Sequence, residues 1–437
     1  MKRAVWVSIV LSALVFAGCG NKVSNPLTNN TPEQKFSVAK SESVARETST
    51  ASTDNISQEA QSINKFAVAM YNRLKQEGKN LFISPYSITE ALAMTAAGAN
   101  GATKQQIRDA LQANLDGSLF DQALNGLDQS ITGFASVTDG ITLKIVNSTW
   151  MQSGWDFKVS YLDYIAKYYG AGVNLLDFVT KPEDSRLIIN TWVADQTNNK
   201  ILDLIPSGGV NSSTRLVLTN AIYFLGNWMY SFNADYTVAK NFNLLDKSTV
   251  QAPIMSLNKP DSLVQMRYTY QSGFRALDFP YKGDRLVMTV ILPDVDSFAS
   301  VEKALSPAML NQAFSALNPR KLKVSIPKFK FTYGTASLTD AFKALGMQDA
   351  FSSQLADFSA IDGSKSLSVG DIYHKAFISV DENGTEAAAA TAAIMETSLA
   401  EQPVIFVVDR PFIFVIRDRT TGAILFIGRI LNPLATE

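Results

Sequence analysis

One histidine, His374, and one cysteine, Cys19, set the limits on the chemistry open to this 437-residue chain. A single imidazole and a single thiol cannot build a Cys/His zinc site, a disulfide framework or a CxxC redox pair. A Ser-His-Asp hydrolase would have to run through His374 alone, and no G-x-S-x-G elbow offers it a nucleophile. G-x-G-x-x-G and Walker A phosphate loops are also absent. The 39 basic and 40 acidic side chains nearly cancel, and no five or six cations run together. That balance argues against a nucleic-acid partner or an anionic membrane surface. No metal and no cofactor is expected.

Cys19 has a different chemistry available. Lys2 and Arg3 precede an apolar run, Ala4 to Ala17, that is short for a membrane span, and Ala17 and Gly18 lead into the cysteine. This resembles the bacterial lipobox, with Phe16 where Leu is usual. The resemblance implies a signal peptide over residues 1–18 and a lipidated Cys19; the plainer alternative is an ordinary cleaved signal with a cysteine nearby. Residues 19–57 are dominated by Ser, Thr, Asn, Lys and Glu without period. They read as a disordered tether, because such a segment buries too little apolar surface to offset its ordering entropy. Residues 58–437 show no second linker and read as one domain.

Within that domain helices come first and strands later, which predicts an α+β architecture. Ile63, Phe66, Ala67, Met70, Tyr71 and Leu74 recur at helical spacing. Ser87 and Glu90 read as a capping box for a helix over Ile88–Ala99. Strand patterns cover Leu143–Met151, Leu286–Leu292, Val404–Val408, Phe412–Ile416 and Ala423–Ile430, with a turn at Arg419–Gly422. Apolar residues fall on even numbers at Leu322, Val324 and Ile326, then on odd ones at Phe329 and Phe331. The change of phase predicts a bulge or turn at Pro327, where a ladder donor is missing.

Between these buried strands lies DENGTEAAAATAAIMETSLAEQ, Asp381 to Gln402. Composition alone favours a short Ala-rich helix capped by Thr385. An exposed stretch of about twenty residues inside a compact domain usually carries function, however. A run of small side chains can also enter a sheet as a strand without new cavities.

The domain resembles the serpin family over essentially its whole length. The resemblance rests on NLFISPYSITEALAMTAAGANGAT at Asn80–Thr103 and on Asn190-Thr-Trp-Val with Thr197 and Lys200-Ile201. It rests also on LTNAIYFLGNW at Leu218–Trp228, the hinge E-x-G-T-E-A at Glu382–Ala387 and DRPFIFVIRD at Asp409–Asp418. It implies about nine helices, three β-sheets and an exposed reactive-centre loop. It also implies suicide inhibition: a serine-type protease cleaves the loop, is held as an acyl-enzyme, and is carried away as the loop inserts into the main sheet.

The same resemblance assigns residues. The hinge is Glu382, Gly384, Thr385, Glu386, Ala387, Ala388, Ala389, Ala390, Thr391 and Ala392. Its inward positions (Thr385, Ala387, Ala389, Thr391 and Ala393) are all small, as an inhibitory member requires. Counting from Glu382 places the reactive bond at Ser398–Leu399, whereas counting back from Pro411 gives Ala400. Neither Lys nor Arg occurs in Ile394–Ala400, which points to extracellular elastase-, chymotrypsin- or subtilisin-like proteases as covalent partners. Ser84, Ser87, Asn220 and His374 match the shutter beneath the opening of the sheet; Trp228 and Lys328 match the breach, with a Lys328–Glu382 pair. The expectation is a monomeric inhibitor, exported and anchored to the cell envelope by lipid only, extracellular or periplasmic. A non-inhibitory binding serpin and a hydrolase using His374 stand as rival readings.

Overall fold

The computed structural model describes residues 35–257, 263–385 and 403–436. Cys19, the signal segment, hinge residues 386–393, the Ser398–Leu399 bond and Ala400 lie outside the described residues.

Two antiparallel-rich sheets and ten α-helices make up the described fold. The first sheet is built on the strand Leu216–Asn227, buried on both faces. Val217 and Ala221 face one apolar cluster, while Leu218, Ile222 and Phe224 face the other, so its sequence reads as a nearly continuous apolar run. It pairs antiparallel with Ile141–Gln152 on one side and parallel with Asp371–Val380 on the other. Phe329–Ser337 continues the sheet beyond Asp371–Val380, and Val173–Leu176 beyond Ile141–Gln152. Gly384–Thr385 supplies two further residues against the central strand, and Ser37–Ala39 closes the far edge, giving seven strands.

The second sheet has ten strands and includes the C-terminal Phe412–Asp418 and Ile424–Ile430. Hydrogen bonding joins the described strands into two sheets where the resemblance implies three. The long strand Asn318–Pro327 causes this. Its first half pairs with Val264–Gln271 and its second half with Thr249–Ser256, so the ladders run on without a break.

Pro327 marks the point where the chain changes sheets. Leu322, Val324 and Ile326 are buried in the ten-stranded sheet, and Phe329 and Phe331 are buried in the seven-stranded one. Each sheet imposes its own alternation, which is why the phase shifts.

Three features differ from the sequence expectation. Residues 36–57 are not a tether. Ser37–Ala39 pairs with Val173–Leu176, Phe36 packs edge-on against Trp150 at 4.9 Å, and the first helix already spans Thr53–Leu74 with Ser52 as cap. Polar composition misled because this strap is held by hydrogen bonds more than by apolar burial. Arg46 donates to Asn125 and Asp128, and Ser41 to Asp163. The second helix is Pro85–Ala97, capped by Ser84 and not by Ser87; the Ser84 hydroxyl accepts the Ser87 N–H at 3.2 Å. Pro85 at the first helical position fixes that start. Glu90 therefore closes no capping box.

Candidate functional site

The central strand positions two polar constellations. The first forms a line across three strands, because Asn147 opposes Asn220 and Asn220 opposes His374 in the ladders. The helix Pro85–Ala97 packs beneath this line and contributes Ser87, with Ser84 at its cap. Asn220 accepts from His374 Nδ1 and donates to Ser87 Oγ at 2.6 Å and to Asn147. Ser87 donates to Asn147 Oδ1 at 2.9 Å, and Asn147 returns a bond to the Ser87 carbonyl at 3.0 Å. The Ser84 N–H donates to His374 Nε2 at 3.4 Å, and the Ser84 hydroxyl donates to the Leu425 carbonyl at 2.7 Å. All four expected residues meet here, and they tie the two neighbouring strands to the helix beneath them.

His374 takes the Nδ1–H tautomer in this network, because Nε2 is an acceptor. Burial lowers its pKa to about 3, so the ring is neutral at physiological pH. Among the described residues no hydroxyl is directed at its Nε2; the donor there is the Ser84 backbone. A general base needs a reacting proton within reach, and this ring is committed to a backbone and an amide.

Sequence reasoning missed the next layer. Asn147 Nδ2 also donates to Glu90 at 3.3 Å, and Tyr86 donates to Asp128 at 2.9 Å. Burial, then repulsion from Asp128, pushes the Glu90 carboxyl well above its usual range. Arg46 of the strap reaches Asp128 at 2.5 Å. An Asn in the middle of a strand run was a possible signal for Asn147; nothing local marked Arg46.

The second constellation sits where the sheet opens. Ladder pairing between the central strand and Asp371–Val380 runs from Val217↔Asp371 to Ile222↔Ala376. Beyond it, Gly226 and Asn227 pair antiparallel with Thr385 and Gly384. The chain turns at Asp381–Gly384, where the Asp381 N–H donates to the Gly384 carbonyl at 2.9 Å and the Asp381 carboxylate accepts from the Asn383 N–H. Trp228 clasps this turn. Its indole donates to the Asp381 carbonyl at 3.0 Å, its N–H donates to the Asn383 carbonyl at 2.8 Å, and its ring stacks on Tyr281 at 4.6 Å.

Glu382 is only 8 % exposed and uses both oxygens, accepting from Lys328 at 2.7 Å and from Thr237 at 2.7 Å. Burial opposes its ionisation, but those two hydrogen bonds outweigh it and hold its carboxyl below the usual range. The pair is therefore less like a solvated surface bridge than its sequence position suggests. Thr385 is buried and shares a 2.9 Å hydrogen bond with Tyr281. Gly384 passes so close to the central strand that a Cβ there would meet the Gly226 oxygen at 2.0 Å. Only glycine fits that approach. Trp228, Lys328, Glu382, Gly384 and Thr385 are thus gathered in one place. No group of three or more potential metal ligands occurs among the described residues.

A seven-stranded sheet with a helix-backed polar line and the short strand Gly384–Thr385 beside its parted end defines a class of protein. The family model for serpins, serine protease inhibitors, matches residues 61–433. The chain belongs to the serpin family. It is 35% identical to a serpin-like protein of Thermococcus kodakarensis over 99% of both chains. It is 36% identical to the leukocyte elastase inhibitor of Bos taurus, covering 84% of this chain and 98% of that one. Among solved structures it resembles the thermophilic serpin tengpin in its native state. That match has a TM-score of 0.77 at 26% identity, over 91% of this chain and 99% of tengpin.

Proposed function

We propose that this chain is a suicide inhibitor of serine-type proteases and not an enzyme. The observation that carries the reading is the pairing of Gly384–Thr385 with Gly226–Asn227, which starts a new strand where the central strand and Asp371–Val380 part. A loop cleaved downstream can extend that strand residue by residue. Each added ladder hydrogen bond contributes about 1 kcal/mol net, with burial of small side chains in addition. Serpin loop insertion is itself a standing example of strand addition and of strain released by cleavage. The next inward positions, Ala387, Ala389, Thr391 and Ala393, demand no new cavity.

The bait bond is Ser398–Leu399 by the hinge count, which suits elastase-, chymotrypsin- or subtilisin-like pockets; the bovine relative's name is in keeping with that choice. The protein acts as a monomer after export, held to the cell envelope through lipid on Cys19. His374 holds the shutter closed and performs no chemistry.

A denaturing gel after incubation with each protease class tests the reading. Trapping gives a band at the summed mass, and mass spectrometry of the released fragment should find Leu399 at its N-terminus. Cleaved serpin without complex would sink the proposal, as would turnover of test esters. A fragment starting at Glu401 would move the bond to Ala400. Loss of lipid labelling in Cys19→Ser, against a labelled wild type, tests the anchor.

A further inference from the structure

Asn383 and Gly384, in the turn that Trp228 clasps, form one of three Asn-Gly pairs in the chain; the others are Asn100-Gly101 and Asn125-Gly126. Such a pair is most often an ordinary turn. It also carries a chemistry that other Asn-X pairs show only weakly, because glycine has no Cβ to shield its amide nitrogen from the Asn side chain. Gly384 N attacks Asn383 Cγ, the N–Cγ bond forms, and the Cγ–Nδ2 bond breaks. Nδ2 leaves as ammonia with the proton of the Gly384 N–H. Water then opens the resulting succinimide at one carbonyl or the other, which leaves aspartate or isoaspartate.

The three pairs are not equally free to react. Asn125 lies inside the helix Ser118–Val137, its side chain held by Arg46, Gln129 and the Glu47 carbonyl. Asn100 donates from its side chain to Ser359 at 3.0 Å. Asn383 is half-buried, and among the described residues it is bonded through its main chain alone. Its side-chain amide is therefore untethered. The Gly384 N–H donates to the Asp381 carboxylate at 3.3 Å, so the nucleophile has an acceptor for its proton already in place. Burial raises the Asp381 carboxyl above its ordinary range, which strengthens it as a base.

We propose that Asn383 is a deamidation site, with Asp381 as the base, and that its isoaspartate product unseats the hinge. Isoaspartate lengthens the main chain by one carbon just before Gly384. The Trp228 N–H holds the Asn383 carbonyl at 2.8 Å, and that carbonyl becomes a free carboxylate in the product. The new charge falls beside Asp381 and Glu382. Gly384 already runs so close to Gly226 that the strand has no slack to absorb the added length. Conversion thus retires an inhibitor that has not met its protease, while the bait bond stays open to cleavage. This consequence rests on the inhibitory reading; the modification itself does not.

The test holds purified protein in mildly alkaline buffer and withdraws samples for peptide mass mapping, an isoaspartate methyl-transfer assay and trapping gels. Isoaspartate should accumulate at Asn383 at least several-fold faster than at Asn100 or Asn125. Trapped protease should fall in step with it, cleaved serpin taking its place, and Asn383→Gln should keep whatever yield it begins with. Asp381→Asn should slow conversion several-fold; faster conversion would mean that Asp381 only steadies the turn, and would overturn its assignment as the base. Isoaspartate appearing first at Asn100 or Asn125, or an undiminished yield from converted protein, would overturn the proposal. A fresh protein that traps no protease counts against the inhibitory reading instead, and the position of the isoaspartate still decides this one.

Discussion

His374 and Glu59 are two buried groups whose protons act on stability in opposite directions. His374 has a folded pKa of about 3 against 6.5 ordinarily, so the unfolded chain binds the extra proton between those values. Its contribution is therefore lost as pH falls from 6.5 toward 3. Glu59 lies fully buried with neither oxygen hydrogen-bonded, and burial followed by repulsion from Asp121 raises its pKa from 4.5 to about 8. Here the folded chain holds the extra proton, so stability declines as pH rises from 4.5 to 8. Taken by themselves these two slopes cancel between 4.5 and 6.5, and the raised carboxyls of Glu90 and Asp121 add a further loss as pH rises. Glu59→Gln removes its own share of the alkaline loss. We expect it to stabilise the protein by about 3 kcal/mol at pH 7 and by nothing at pH 4.5, at about 1.4 kcal/mol per pH unit. Denaturation midpoints across pH 4–9 read this; a gain independent of pH would contradict it. Gly384 makes the other prediction at this scale. Gly384→Val drives a side chain into the Gly226 carbonyl, so the hinge should leave its seat and the yield of trapped protease should fall several-fold on gels, with cleavage maintained.

Elements behaved differently from residues in what their sequence disclosed. Strands buried on both faces, such as Leu216–Asn227, were legible as apolar runs, and the change of phase at Pro327 correctly announced a break. What local pattern cannot express is register. Asn147 joins the His374 line only because it opposes Asn220 across a ladder between residues 73 apart. The strap over residues 36–52 was illegible for another reason: its polar side chains look like those of a disordered tail until Asp128 and Asn125 are placed opposite Arg46. Arg46→Ala leaves Asp128 beside Glu90 without its cation, and we expect a loss of about 1–3 kcal/mol in a denaturant titration; an unchanged midpoint would make the strap passive. The hinge pair yields a sharper outcome. Thr385 is buried against Tyr281, so Thr385→Arg would put an unpaired charge into the sheet, at a cost that opposes insertion. Protease should then cleave the variant without being held, and an undiminished yield of covalent complex would refute the claim.

At the scale of the molecule, the fold joins a ten-stranded sheet to a seven-stranded one that is partly parted at one end. Buried Phe82 stacks on both Phe414 and Phe426 in the core, and the helices Thr53–Leu74 and Pro85–Ala97 cover it. Such a core is too closely packed to deform gradually, so on the inhibitory reading the sheet would open along the ladder that the His374 line crosses. The account's central claim is that the loop becomes a strand of the seven-stranded sheet once it is cut. Thermal unfolding of the intact protein, compared with the same protein nicked once within the loop, tests it most directly. An added central strand should raise the melting temperature by tens of degrees, because every inserted residue contributes hydrogen bonds and burial absent from the intact state. A nicked form that melts at or below the intact one would contradict loop insertion.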